Sequence, residues 1–339
     1  MKIIFSEDSG LNDSIFGKCQ APIRMFLEKR GEAFEQKSML SEFFCMGKSD
    51  NFGDMFTGMT AMDGFMPVGE NGDYPTTSMQ EGYRKMLEYP EWKQSFTISK
   101  KLMEDVKSYM MELRKRPASF MNAYFRTREN FGAALFGGAI SGKKSVRFRG
   151  MDFDIAGADG SPIFHTAHKP KVKGAVQSNL FSDPFSVDAL DRAEAAMHQF
   201  RGDNEEILDV TPVTIAIANI PALKRKVFAA IGADQDPDTA NNGFNFQFGR
   251  WNVKVWNYLN QYLGAGAEPW MLIDDAYNEE CGGAVWNDRV PLTVDSYINK
   301  RNDVNVWQGR ARFNATFNDF RFACLGGVEG GTDLTTLKI

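Results

Sequence analysis

From Met1 to Pro90 the chain carries many Phe and Met residues, yet Gly, Asp, Ser and Pro interrupt every sustained periodic run. A compact core is hard to build from this stretch alone, so its apolar side chains need a covering surface. Another copy of the same chain, wrapped by an arm that orders on assembly, is the obvious source. Residues 21–46 hold an amphipathic piece (Ile23, Phe26, Leu27, then Phe34, Leu40, Phe43) broken at Gly31. Met55, Met59, Met62 and Met66 fall at helical spacing, but Gly58 and Gly64 inside that window each cost about 1 kcal/mol relative to Ala. An irregular, methionine-padded contact strip is expected there, because Met adapts to imperfectly matched surfaces.

Beyond this stretch the patterns are regular. Residues 79–98 alternate as two strands folded at Tyr89-Pro90-Glu91, with Tyr83, Lys85, Leu87 on one and Trp92, Phe96, Ile98 on the other. A lone hairpin is marginal in water, so this one packs on its own body or on a neighbour. Ser99 can cap a helix over 100–116, and Pro117 suits the first turn of a second, over 117–139. That second helix has a broad apolar stripe from Phe120 to Ala139, and Asn122, Arg126 and Glu129 line its other face. SVRFRGMDFDIAG reads as strand and turn, and SVDALDRAEAAMHQF as a helix capped near Ser186 or Asp188. VTIAIANI, WNVKVWNYL and PWMLIDD read as strands, and GRARFNATFNDFRFACLGG as a closing hairpin turning at Asn318-Asp319. The fold class is α+β.

Composition narrows the function. A chain of 339 residues is long for one domain, and a net charge of -5 argues against a protein that mainly grips nucleic acid. Cys19, Cys45, Cys281 and Cys324 are scattered, which signals neither a zinc cage nor a disulfide framework, and no secretory or membrane segment is legible. Gly137, Gly142 and Lys143 imitate a P-loop, but Lys144 stands where Ser or Thr should, and a helix precedes the glycines instead of following them. A glycine-terminated helix with a basic turn is the better reading. Asp152, Asp154 and Gly157 start like a calcium loop that fails at Ala156 and Ile163. Ser141/Lys144 and Ser49-Asp50-Asn51 match hydrolase fragments in the wrong order, and DQDPD (234–238) reads as a solvated turn. His165 and His168, with Asp159 upstream, could hold a metal, but nearby Pro162 and Pro170 argue for a polar loop pair. No catalytic residue, cofactor site or metal site is assigned.

GYRKMLEYPEWKQSFTISKKLMED, AYFRTRENFGAALF, DGSPIFHTAHK and PWMLIDD, in this order along nearly the whole chain, resemble the major capsid proteins of tailed bacteriophages with the Hong Kong 97 fold. Each motif is a loose aromatic pattern, so their order carries the resemblance. It implies an N-terminal arm (1–68), an extended-loop hairpin (69–98), a peripheral domain (99–183 and 285–339) with its spine helix at 117–139, and an axial domain (184–284). Tyr83, Lys85, Trp92 and Phe96 on the loop, and Arg126, Arg128 and Glu129 on the spine, become candidate assembly contacts. The implied assembly is a homo-oligomer of pentamers and hexamers, an icosahedral shell around double-stranded DNA that is not read by sequence. Portal, scaffold and decoration proteins are candidate partners, and no membrane is involved. The implied location is the virion capsid, after synthesis in the bacterial host cytoplasm. Some members cross-link Lys to Asn; Lys85 and Lys93 lie on the hairpin, but no partner is assigned. The rivals are an encapsulin-like compartment, disfavoured by the long arm, and a metal-dependent hydrolase using His165, His168 and Asp159.

Overall fold

In the computed structural model, which describes residues 3–5, 17–59, 65–70, 72–74, 76, 81–105, 109–232 and 245–337, the alternation of Ala311, Phe313, Ala315 and Phe317 becomes a central strand of the body. In chain order the elements are β1 (Ile4–Phe5), α1 (Gly17–Glu35), α2 (Leu40–Phe43), β2 (Cys45–Lys48), β3 (Gly53–Met59), β4 (Glu81–Glu88), β5 (Glu91–Ser99), α3 (Lys100–Asp105) and α4 (Tyr109–Ile140). Then come β6 (Ser145–Phe148), β7 (Met151–Asp154), α5 (Val187–Met197), β8 (Thr214–Ala218), α6 (Pro221–Ile231), β9 (Asn252–Trp256), β10 (Trp270–Ile273) and α7 (Asp275–Cys281). The long strands β11 (Ala284–Asn299) and β12 (Val304–Phe317) and the short β13 (Ala323–Gly326) complete the chain. The mixture is α+β, as the sequence indicates. Met62 and the 234–238 turn lie outside the described residues.

The first sheet runs β1, β11, β12, β5, with β2 also on β11. β12 is antiparallel to both neighbours, whereas β1 and β2 join the other edge of β11 in parallel. The register of β11 shifts between Asp288 and Thr293, around Pro291, which has no N–H to give to a ladder. α4 packs on this sheet. Its apolar stripe meets Trp92, Phe153, Trp286 and Phe313 in one aromatic core. Gly142 (φ 67) closes the helix, donating to Ala139 O, and Lys143 donates to Gly138 O, so the basic turn after a glycine stop is observed. Arg149 (φ 49) and Gly150 (φ 89) make the two-residue turn of the β6–β7 hairpin.

The second sheet, β13, β10, β8, β9, is covered by α5 and α6 around a separate core. Ser186 Oγ accepts from Ala189 N at 3.1 Å and caps α5, as its sequence suggests. Cys324 and Leu334 are buried in this second core, so the last strand leaves the first sheet.

Four sequence expectations are corrected. Residues 79–98 are not a hairpin: β4 pairs with β3, and β5 pairs with β12 in a different sheet. The closing hairpin is also absent, because β13 pairs with β10 rather than β12. In both cases alternation fixes which face is buried and leaves the partner strand open. The spine helix starts at Tyr109, with Pro117 inside it; the proline costs one backbone hydrogen bond, and the rest of a 32-residue helix carries the segment. Finally, part of the leading quarter packs on its own chain: Ile3, Ile23, Leu27, Leu40, Phe43 and Phe44 are buried, and Phe34 stacks on Phe125. Gly31 lies within α1 instead of breaking it, and a Cβ there would sit 3.2 Å from Ile3 Cδ1, so the glycine marks a close approach.

Candidate assembly surfaces

Among the described residues β3 and β4 pair only with each other, so their ribbon has two faces of its own. Lys85 and Leu87 point inward and are buried, while Met55 and Met86 lie directly opposite each other on the outer face, 64% and 58% exposed. Phe52 before β3 and Phe65, Met66, Val68 and Tyr74 between the strands are exposed as well, Phe65 completely. An apolar row of this size on a protruding element marks a contact surface.

The base of the ribbon is tied down by Asp54. Its Oδ1 accepts from Ser49 Oγ (2.9 Å) and Asn51 Nδ2 (3.0 Å), and its Oδ2 from Tyr89 OH and Asn287 Nδ2 (3.0 Å). Partial burial would raise the carboxyl, but these donors outweigh it and hold Asp54 below the usual carboxylate range. Ser49 and Asn51, which imitate a hydrolase motif in the sequence, are thus turn residues that orient a carboxylate. On β4, Lys85 Nζ donates to Ala156 O and faces Asp154 Oδ2 at 3.4 Å; burial pushes its ammonium pKa down despite Asp154.

On the spine, Arg128 makes a two-pronged pair with Asp288 (2.8 and 3.0 Å) and lies over the rings of Trp286 and Phe313 at 4.9 and 5.0 Å. Glu129 Oε1 accepts from Ser38 Oγ (2.5 Å) and Met39 N (3.1 Å), and its Oε2 from Trp256 Nε1 (3.1 Å). One carboxylate therefore joins the leading segment, the spine and β9 of the second sheet. Arg126 is exposed and donates to Asn122 O of its own helix.

Of the candidate contact residues, Trp92 stacks on Phe313 and Phe153, and Phe96 on Trp307, inside the chain's own core. Their placement on a protruding loop is corrected, because β5 belongs to the body sheet. Tyr83 and Lys85 do lie on the ribbon, Lys85 opposite Phe56 in mid-strand and Tyr83 nearer the loop end of β4. The histidine pair does lie in a polar loop, but His168 is buried there, with Nδ1 2.7 Å from Asp159 and Nε2 3.1 Å from Asn179. With both nitrogens engaged by protein oxygens it has none to offer a metal. Among the described residues no group of three or more His, Cys, Asp or Glu could hold an ion, and the hydrolase alternative gains no support. No described helix is long and apolar enough to cross a membrane. Sequence reasoning missed Asp54 and Asp288; the only local signal for Asp54 was the Ser/Asn-rich turn before it.

A family model described as phage capsid protein matches residues 91–325. The chain belongs to this family. The match covers β5, β11 and β12 of the first sheet, α4 and most of both cores, and makes the molecule a structural subunit of a phage capsid. No curated protein matches the sequence. Solved structures similar to it include one described as Mycobacterium phage Patience, with 9% identity over 98% of this chain and 94% of that one (TM-score 0.47). Another is the mature capsid of bacteriophage PhiM1, at 7% identity over 85% of each chain (TM-score 0.47). A third is the capsid of an empty GTA particle, at 12% identity over 85% and 89% (TM-score 0.45). Similarities this remote carry no argument beyond the family match.

Proposed function

We propose that this capsid protein is the major head protein of a tailed bacteriophage with the Hong Kong 97 fold. In this reading its copies assemble as pentamers and hexamers into an icosahedral shell around double-stranded DNA, without sequence readout, catalysis or cofactor. The observation that carries the reading is the uncovered face of the β3–β4 ribbon, where Met55 and Met86 stand side by side in solvent. Fully burying one such side chain is worth about 1.5–3 kcal/mol, and a closed shell repeats the contact at every subunit. α4 serves as the spine, the leading segment through β2 as the arm, and residues 184–284 as the axial domain. Portal, scaffold and decoration proteins are candidate partners in this role.

Negative-stain microscopy of the expressed protein tests the reading. Hollow shells or capsomer rings are expected, and M55D/M86D should abolish them while the subunit stays folded. A monodisperse monomer of 38.1 kDa would refute it. Nuclease-protected DNA inside particles purified from infected cells, rather than protein cargo, separates the phage head from an encapsulin-like compartment.

A further inference from the structure

The loop over residues 156–177 holds β4 at both of its ends. Near its start, Ala156 O accepts from Lys85 Nζ. Near its end, Lys169 O accepts from Tyr83 OH at 3.5 Å, and Lys171 Nζ donates to Gly82 O at 2.6 Å while lying 5.8 Å over the Tyr83 ring. Burial, then Asp159 and Asp203, raise the Tyr83 phenol. What keeps the two ends of this largely irregular loop together is the side chain of His168.

Asn179 fixes the chemistry of that side chain. Its Nδ2 donates toward the carbonyls of Ile163 (2.9 Å), Phe320 (3.1 Å) and Ala323 (3.1 Å), and its Oδ1 accepts the backbone N–H of His165 (2.9 Å). Turning the amide over would face donor against donor and strand three carbonyls, so its orientation is determined by its partners. The same Oδ1 lies 3.1 Å from His168 Nε2, which must therefore carry a hydrogen. Nδ1 faces Asp159 Oδ2 at 2.7 Å, while Asp159 Oδ1 takes the Ser161 N–H at 3.0 Å. Both ring nitrogens are thereby engaged, one by a carboxylate and one by an amide oxygen. The ring is buried and stacks on Phe320 at 3.8 Å and 2°. His168 and Gln177 also exchange backbone hydrogen bonds at 2.8 and 3.0 Å, which closes the loop.

We propose that His168 is a positioning residue for assembly: by bridging Asp159 to Asn179 it shuts the 156–177 loop into a clasp that fixes the angle at which the β3–β4 ribbon leaves the body. The ribbon shares no sheet with the body among the described residues, so its direction is set by side-chain ties: Asn314 Nδ2 donates to Glu88 O (2.7 Å) at the base of β4, and the clasp supplies the ties farther out, at residues 82–85. The consequence for shells rests on the assembly reading. The clasp itself is a property of the single chain and can be tested on it.

The test is amide hydrogen exchange on the soluble full-length chain. H168A should raise exchange in β4 roughly tenfold, the equivalent of one or two net hydrogen bonds, while β11 and β12 stay protected. H168Q, which keeps one donor, should fall between H168A and the parent. Y83F/K171M leaves the core untouched and should loosen β4 with the 156–177 loop unchanged; added to H168A it should contribute little further, because both open the same clasp. Three results would overturn the proposal: unchanged β4 exchange in Y83F/K171M, equal loss of protection in β4 and in β11–β12 with H168A, or simple additivity of the two sets. A parent chain that shows the clasp yet never forms particles would refute the assembly reading and leave the clasp standing.

Discussion

Removing Asp288 should damage this molecule more than removing the arginine it pairs with, and the difference follows from where each charge sits. Arg128 is 7% exposed, packed over Trp286 and Phe313, with Tyr124 OH 3.1 Å from Nη1. Burial alone would lower its pKa, but Tyr124 and Asp288 raise it, and an arginine keeps its charge in D288A as well. D288A leaves that cation with no counter-charge, and breaking one side of a buried pair costs about 3–5 kcal/mol. The Asp288 side chain is 23% exposed and also accepts from Trp286 Nε1 at 3.1 Å. In R128M the carboxylate can turn to water, so an unsatisfied-group cost of about 1–3 kcal/mol is expected. The double replacement R128M/D288L removes both charges and should recover most of the loss, because an apolar pair of similar volume often matches a buried ion pair. Urea unfolding of unassembled subunits, followed by tryptophan fluorescence, gives the three values directly. Against a total domain stability of about 5–15 kcal/mol, D288A should move the midpoint visibly. A D288A cost under about 1 kcal/mol, or a double variant worse than either single one, would show that the pair is not the buried joint inferred here.

Three further outcomes are expected. E129Q puts an amide NH₂ where Ser38, Met39 or Trp256 now donates, so it should cost about 1–3 kcal/mol and speed proteolysis within residues 17–44; unchanged cleavage there would remove Glu129 as the link to the leading segment. Asp54 and Asp159 are held below the usual carboxylate range, so the stability they contribute is complete above about pH 4 and is lost as pH falls through their folded values. Thermal melts between pH 5 and 3 should therefore fall less steeply in D54N/D159N than in the parent, and equal slopes would contradict the assignment. A Cβ on Gly138 would lie 2.1 Å from Val146 Cγ2 and 2.9 Å from Ile155 Cδ1. G138A should thus destabilise by about 1–3 kcal/mol in denaturant unfolding, although Ala is the better helix former, and a gain in stability would show that the β6–β7 hairpin yields.

What the sequence made legible was local. The Ser186 cap, the apolar stripe of α4 and the strands around residues 214–218 and 270–273 all follow from spacing and capping chemistry that act over a few residues. Pairing was not legible, because Trp92 and Leu87 obey the same alternation yet serve different sheets. Arg128 and Glu129 looked like a polar helix face, since the partners that take them out of water, Asp288 and Trp256, lie far along the chain. His168 was misplaced for the same reason: Asp159 and Asn179 were visible, but nothing local shows that Phe320 stacks on the ring. Exposure of Met55 was approachable from the sequence, as part of a methionine-padded strip interrupted by glycines, though its strand pairing with Met86 was not.

The contrast between core and joints bears on how such a subunit can change shape. The body is aromatic: Trp92, Phe131, Trp286 and Phe313 lie within 5.0–6.2 Å of one another in successive ring contacts. Close-packed rings have no cheap second arrangement, because shifting one forfeits contacts on all its neighbours. The appendages are attached differently. The leading segment shares the aromatic core through Phe43 and Phe44, whereas the ribbon is tied by Asp54 on one side and by the His168 clasp on the other. Where such ties are partly exposed, water can replace them at about 0.5–1.5 kcal/mol per hydrogen bond, far less than the cost of opening the core. In the proposed shell one chain occupies both pentamers and hexamers, whose subunits meet at different angles. The joints yield before the body does, so the variation falls on the ribbon as a rigid rotation about these polar points.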